Sequence, residues 1–301
     1  MTKRASEAMM SSDRLIITAA SKAFGPSLLG LLGSLTLNWP QHPPVLVYDL
    51  GLDETTLSTL REHNISVKKV PPFCPHWRKH YTWKIWCWNN VPAQQFLWLD
   101  AGIAVLNPLD EVFATLTQTG YFVIPTYHLL TENASLAACQ CCGLPPEFRN
   151  GRMTLAANVI GLDKGERITS ILKEALVVAL NENCIKATEP MHRHDQAIIS
   201  LLMHKYLEPL VLSDGIVYGG WISPHQTPGQ KIWVHRRSIR KEDLNHFIGH
   251  ISTQGDPYDL LEPPGRSREI RAWPYTFINF LRKVLSSHKP NDTSINDGVK
   301  D

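Results

Sequence analysis

Two hydrophobic periods alternate along this chain. Short runs rich in apolar and branched residues occur at 15–20, 45–48, 96–99, 121–124 and 155–162, and a more polar one with Ile65, Val67 and Val70 at 65–70. Runs of that length and composition predict strands buried on both faces. Between them, apolar residues recur at helical spacing. Pro26 opens a helix carrying Leu28, Leu31, Leu32 and Leu35, and Asp53 caps one carrying Leu57 and Leu60. Asn107-Pro108 starts a helix through Leu116, and Ile168, Ile171, Leu172, Ala175, Leu176 and Ala179 mark an amphipathic one. His192 to Gln196 opens a last helix with Ile198, Ile199, Leu201 and Leu202, and strands are expected at 210–218 and 231–235. Gly30 and Gly33 inside the first helix each cost about 1 kcal/mol against Ala, which implies close packing there. Strand, helix, strand, helix, strand is the order of a parallel sheet with right-handed crossovers, an α/β fold.

One run breaks the pattern. Phe96-Leu97-Trp98-Leu99 stops at Asp100-Ala101-Gly102 and resumes as Ile103-Ala104-Val105-Leu106. A buried strand does not tolerate an ionised carboxylate in its middle, so Asp100 belongs at the strand's end or beside a cation. In open α/β sheets ligands bind in the crevice beyond that end. An isolated Asp-x-Gly after a core strand is ordinary turn chemistry; the surroundings decide. Just upstream, Trp77, Trp83, Trp86 and Trp88 surround Lys84. Such rings fill core, and one at a cleft edge would stack on a sugar or base. A lysine among them stays buried only if it is paired.

With 43% hydrophobic and 19% charged residues, the 301-residue chain has material for a sizeable core. A net charge of +2 argues against a polyanion or nucleic-acid binder. The N-terminus lacks a signal-peptide core and no run reaches membrane-spanning length, so a cytoplasmic protein with at most peripheral membrane contact is expected. The six cysteines form no disulfide framework. Cys139, Cys141 and Cys142 cluster without a second metal-spaced pair, so reduced thiols are expected. Asn-x-Ser/Thr triplets begin at Asn64, Asn133 and Asn291. Residues 126–153 read as a loop-rich insertion shaping an acceptor site. The expected organisation is a flexible N-terminus (1–14), a catalytic domain (15–250), an extension with a short helix (251–286) and a disordered tail (287–301). Residues 18–26 hold a single glycine, which removes the phosphate-binding fingerprint of a nicotinamide dehydrogenase.

In order and spacing, four segments resemble glycosyltransferase family 8, the glycogenin-like and bacterial galactosyltransferase-like retaining enzymes of the GT-A fold. They are Leu29 to Leu35 with its Leu-Gly-Ser-Leu, Thr82-Trp83-Lys84-Ile85-Trp86-Cys87-Trp88, Phe96 to Val105 as the strand that carries Asp100, and Asp195-Gln196. The similarity runs over roughly 15–240. It implies a GT-A-type nucleotide-diphospho-sugar transferase with a mostly parallel central sheet flanked by helices. It also implies a nucleotide-sugar donor, UDP-linked by preference, and a glycan, lipid-linked or protein acceptor.

Carried onto this sequence, the resemblance puts the base against Thr18, Ala19 and Ala20. Ribose and any Mn or Mg ion fall to Asp100, with Ala101 and Gly102 beside it. Lys84 lies near the donor sugar or phosphates, Asp195 and Gln196 by the transferred sugar, and Arg236 and Arg237 face the diphosphate. The late metal-ligand histidine is His235, with His246 as the alternative. The family's second Asp is Gly102 here, and its Asn-x-Gly appears as Ala156-Ala157-Asn158. Both substitutions weaken expected metal dependence. A non-catalytic nucleotide-sugar-binding or scaffolding protein of the same fold is the rival.

Overall fold

The computed structural model describes residues 13–186, 192–213, 218–220 and 230–234. The expected extension and tail, and with them His235, Arg236, Arg237, His246 and Asn291, lie outside the described residues, as do residues 1–12. In chain order the elements begin β1 (Arg14–Ala20), α1 (Gly25–Asn38), β2 (Val45–Asp49), α2 (Glu54–Glu62), β3 (Ser66–Lys69) and α3 (Thr82–Asn89). Next come β4 (Gln95–Leu99), β5 (Ile103–Val105), α4 (Asp110–Thr119), β6 (Tyr121–Leu129), α5 (Leu130–Asn133) and α6 (Leu136–Cys141). The rest are β7 (Met153–Asp163), α7 (Glu166–Leu180), α8 (Glu182–Ile185), α9 (His194–Leu207), β8 (Tyr218–Gly220) and β9 (Ile232–Val234). Arg14, assigned to a flexible terminus by its sequence, opens β1.

The central sheet has the order β3-β2-β1-β4-β7-β6. β3, β2, β1 and β4 are parallel, and β7 runs antiparallel between β4 and β6. The register sets Ile17 beside Trp98 and Ala20 beside Asp49, so the carboxyl ends of β1, β2 and β4 share one edge. Asp53 caps α2 as its sequence implies, accepting the backbone N–H of Thr56 at 2.9 Å. Core forms on both faces of the sheet: α3, α7 and α9 contribute to one, α1 and α4 to the other. That two-sided burial is why the β1, β2 and β4 sequences are continuous apolar runs rather than alternating ones.

Four expectations need correction. The run after Asp100 does not continue β4. A turn closed by the Ile103 N–H on the Asp100 carbonyl (3.1 Å) sends β5 into a separate sheet of order β5-β9-β8. Residues 126–153 are not all loop, because β6 continues to Leu129 and α5 and α6 follow. No strand forms at 210–213; the strand in that region is β8, at Tyr218–Gly220. Lastly, Cys141 is not a free thiol: it is disulfide-bonded to Cys184, tying α6 to α8 across 43 residues of chain. Cys74, Cys87, Cys139 and Cys142 are the free thiols. Among the described residues no helix is long and apolar enough to cross a membrane. Asn133 is buried, whereas Asn64 sits exposed in a left-handed turn.

Candidate functional site

At the shared carboxyl edge three charged side chains from three elements meet. The Lys84 ammonium lies 2.8 Å from Asp100 Oδ1 and 3.4 Å from Asp195 Oδ2. Its third polar neighbour is the Ala157 carbonyl of β7, at 3.5 Å. The side chains of Lys84 and Asp195 are only 5% and 7% exposed, whereas that of Asp100 is 36% exposed and opens the cluster to solvent. Burial alone would lower the Lys84 pKa, but the Asp100 and Asp195 carboxylates outweigh it and hold the ammonium above its ordinary value. Burial pushes the Asp195 carboxyl up despite the pull of Lys84, and the Asp100 charge adds to the rise.

Local structure fixes each member. Asp100 follows the last residue of β4, and its N–H continues the ladder onto the Asn158 carbonyl at 2.9 Å. Its Oδ1 also accepts the Trp98 indole N–H at 2.7 Å, so a single oxygen takes both an indole proton and an ammonium. Lys84 stands in the first turn of α3, which Asn89 pins to α7 through the Leu172 carbonyl (2.8 Å). Its ammonium lies 5.5 to 5.9 Å from the ring centroids of Trp98, Tyr81 and Trp83, inside cation–π range. Asp195 opens α9, and Ser200 on that helix ties it to β7 by accepting the Leu155 N–H at 2.9 Å. Asp195 Oδ2 is buried and, among the described residues, lacks a partner of hydrogen-bond geometry beyond this long contact with Lys84.

The structure thus brings together Lys84, Asp100 and Asp195, three residues distant in sequence. Gln196 is half-buried beside them; its carbonyl accepts the Ser200 hydroxyl at 2.6 Å. Thr18, Ala19 and Ala20 are buried at the end of β1, and the Thr18 hydroxyl has no hydrogen-bond partner among the described residues. Ala101 is buried and Gly102 half-buried in the turn after Asp100. Neither the indole donor on Asp100 nor the residues flanking the cluster, Tyr81 and His194, were apparent from sequence. Nothing in a lone Tyr or His reports that its backbone is left-handed.

The described donors do not make a metal shell of the kind the resemblance implies. Asp100 is one carboxylate with an oxygen already engaged by two donors, and Gly102 supplies no side chain. Among the described residues no three His, Cys, Asp or Glu side chains are grouped to hold an ion.

No family model matches the chain, and no curated protein matches it. Solved structures do. The galactosyltransferase LgtC, crystallised with donor and acceptor sugar analogues, superposes with a TM-score of 0.53 at 14% identity, over 81% of this chain and 99% of that one. An active-site mutant of LgtC gives a TM-score of 0.51 at 13% identity over the same shares. The bifunctional glycosyltransferase WbbM gives 0.53 at 10% identity, over 83% of this chain and 51% of that one. At such identities the likeness is one of backbone arrangement: a mixed α/β, mostly parallel sheet flanked by helices, the GT-A fold of these glycosyltransferases.

Proposed function

We propose that the protein is a glycosyltransferase that moves a sugar, a hexose by preference, from a nucleotide-sugar donor to a glycan, lipid-linked or protein acceptor, with retention of configuration. The observation that carries this reading is the Lys84–Asp100–Asp195 cluster at the carboxyl edge of a GT-A sheet. In such a transfer the bond between the anomeric carbon and the diphosphate oxygen breaks, and the electron pair leaves with the phosphate. The acceptor hydroxyl forms the new bond and gives its proton to the departing phosphate oxygen. Asp100, the most open of the three, takes ribose and sugar hydroxyls. Asp195, buried and short of hydrogen bonds, holds the transferred sugar, and Lys84 fixes both carboxylates while donating from between them. Thr18 to Ala20 receive the base, preferably uracil, and the orphaned Thr18 hydroxyl supports that assignment. Arg236 and Arg237 serve the diphosphate in this reading. Because the described donors do not fit a metal, no step here passes through one.

Titration of UDP, UDP-sugars and NAD, followed by an assay for sugar release from the bound donor, tests the proposal. Binding of UDP-sugars with turnover supports it; a preference for NAD sinks it. Gly102 in place of a second carboxylate favours one competing reading, a nucleotide-sugar binder without catalysis. Tight UDP-sugar binding with no hydrolysis or transfer across an acceptor panel would establish that instead.

A further inference from the structure

The described chain has four non-glycine residues with positive φ, and three of them ring this cluster: His80 (55°), Tyr81 (57°) and His194 (43°). A left-handed backbone is costly for residues other than glycine and persists where the surroundings over-determine it, commonly at binding sites. Here the surroundings do so. His194 Nδ1 donates to the Ile185 carbonyl at 2.9 Å, and His80 Nε2 lies 3.3 Å from Glu182. Both anchors belong to α8, which the Cys141–Cys184 disulfide fastens. The result of this distortion is specific. Tyr81 remains 52% exposed while its ring lies 5.7 Å from the Lys84 ammonium and 5.9 Å from the His194 ring. A ring with an open face beside a cluster of polar groups offers one ligand both an apolar surface and hydrogen-bonding partners.

The charge of the cluster narrows the partner. With both carboxylates ionised, one ammonium against two of them leaves the cluster net negative, so it does not attract a diphosphate. A floor with both donors and acceptors suits the hydroxyls of a neutral sugar, and an aromatic face beside it suits the sugar's C–H face. We infer that Tyr81, backed by His194, is the stacking wall of a pyranose-binding subsite whose floor is Lys84 and Asp195. The inference rests on the glycosyltransferase reading above. The sugar is either that of the donor or that of the acceptor, and the chemistry of recognition is the same.

Two variants test it. Tyr81→Asn removes the ring but keeps a residue at ease in the left-handed region, and Tyr81→Phe keeps the ring. Calorimetric titration with UDP, UDP-glucose and UDP-galactose is paired with saturation-transfer NMR on methyl glucoside and methyl galactoside. Thermal melts confirm folding. The expected result is a loss of about tenfold for a sugar ligand in Tyr81→Asn, with UDP unchanged and Tyr81→Phe within about twofold of wild type. Loss confined to UDP-sugars makes the wall part of the donor subsite; loss confined to methyl glycosides makes it part of the acceptor subsite. Equal losses for UDP and UDP-sugars overturn the inference, because the ring then serves the nucleotide. Unchanged sugar binding in Tyr81→Asn also overturns it, while leaving the glycosyltransferase reading intact. A wild type that binds neither UDP-sugars nor methyl glycosides removes both.

Discussion

Two charged groups in this molecule are built in opposite ways. Arg152 and Glu208 meet at the surface with each guanidinium nitrogen engaged. Arg152 Nε reaches both carboxylate oxygens at 3.0 and 3.1 Å, Nη2 reaches one at 2.6 Å, and Nη1 reaches the Phe148 carbonyl at 2.7 Å. The guanidinium also lies 4.0 Å from the Phe148 ring centroid. The Lys84 cluster is deeper and less satisfied: its contact to Asp195 is 3.4 Å, its contact to a carbonyl 3.5 Å, and Asp195 Oδ2 lacks a good hydrogen bond among the described residues. A saturated pair fastens β7 to the end of α9 and has little left to offer a ligand. An under-satisfied one with two of its three members buried keeps hydrogen-bonding capacity in reserve, at a cost in stability that folding alone does not explain.

The largest effect should come from breaking the buried cluster. Lys84→Met leaves two carboxylates facing each other with reduced hydration, and removing one partner of a buried pair costs about 3–5 kcal/mol. Chemical denaturation should show that loss, and turnover should vanish with it. A variant as stable as wild type would show the cluster to be as dispensable as a surface pair.

Next in size is Cys184→Ser. Opening a loop of 43 residues should cost about 2–4 kcal/mol. It should also loosen the Ile185 carbonyl, which receives both His192 Nε2 (3.2 Å) and His194 Nδ1 (2.9 Å). Hydrogen exchange should then rise at the start of α9. A change confined to α6 would uncouple the disulfide from the site.

Asp195→Asn should leave the melting temperature near that of wild type but lower turnover by about 10- to 100-fold, since a charge-assisted contact is worth about 1.5–3 kcal/mol. The pH dependence separates the same two properties. A carboxyl whose folded pKa is raised binds its proton more tightly when folded, so acidification through that value does not cost the fold stability at Asp195. What disappears is the negative charge. Activity should therefore fall at a pH above the ordinary aspartate range while the melting temperature holds. Lys84 gives no opposing signal there: its folded pKa is raised, so its contribution is complete below the unfolded value near 10.4 and is lost only on the alkaline side. Melting and activity that decline together on the acid side would place the titration elsewhere.

The smallest effect is reserved for the surface pair. Arg152→Ala should cost about 1 kcal/mol or less, because screening and side-chain entropy offset most of an exposed ion pair. Donor binding should be unchanged. An activity defect there would mean that the start of β7 communicates with the cluster.

The amino-acid sequence by itself determined the layers of this protein. Short continuous apolar runs rich in branched and aromatic residues suit strands covered on both faces, and Leu28, Leu31 and Leu35 share one face on a helix. It also determined that Asp100 ends a strand, because a carboxylate cannot sit in its middle, and that Lys84 is buried only with a partner. Local period and desolvation act within a few residues and are therefore legible. Which carboxylates pair with Lys84 is a different matter, since α3, β4 and α9 converge only through the order of the sheet and the packing of helices on it. The disulfide joins residues that have no sequence signal for each other, and the departure of β5 into a second sheet depends on a partner strand far along the chain, which sets Val234 opposite Ile103 and Ile232 opposite Val105. The left-handed Tyr81 and His194 were decided by tertiary structure as well: His194 is held by the Ile185 carbonyl of α8, the Tyr81 ring lies against His194, and the neighbouring His80 reaches Glu182 of the same helix.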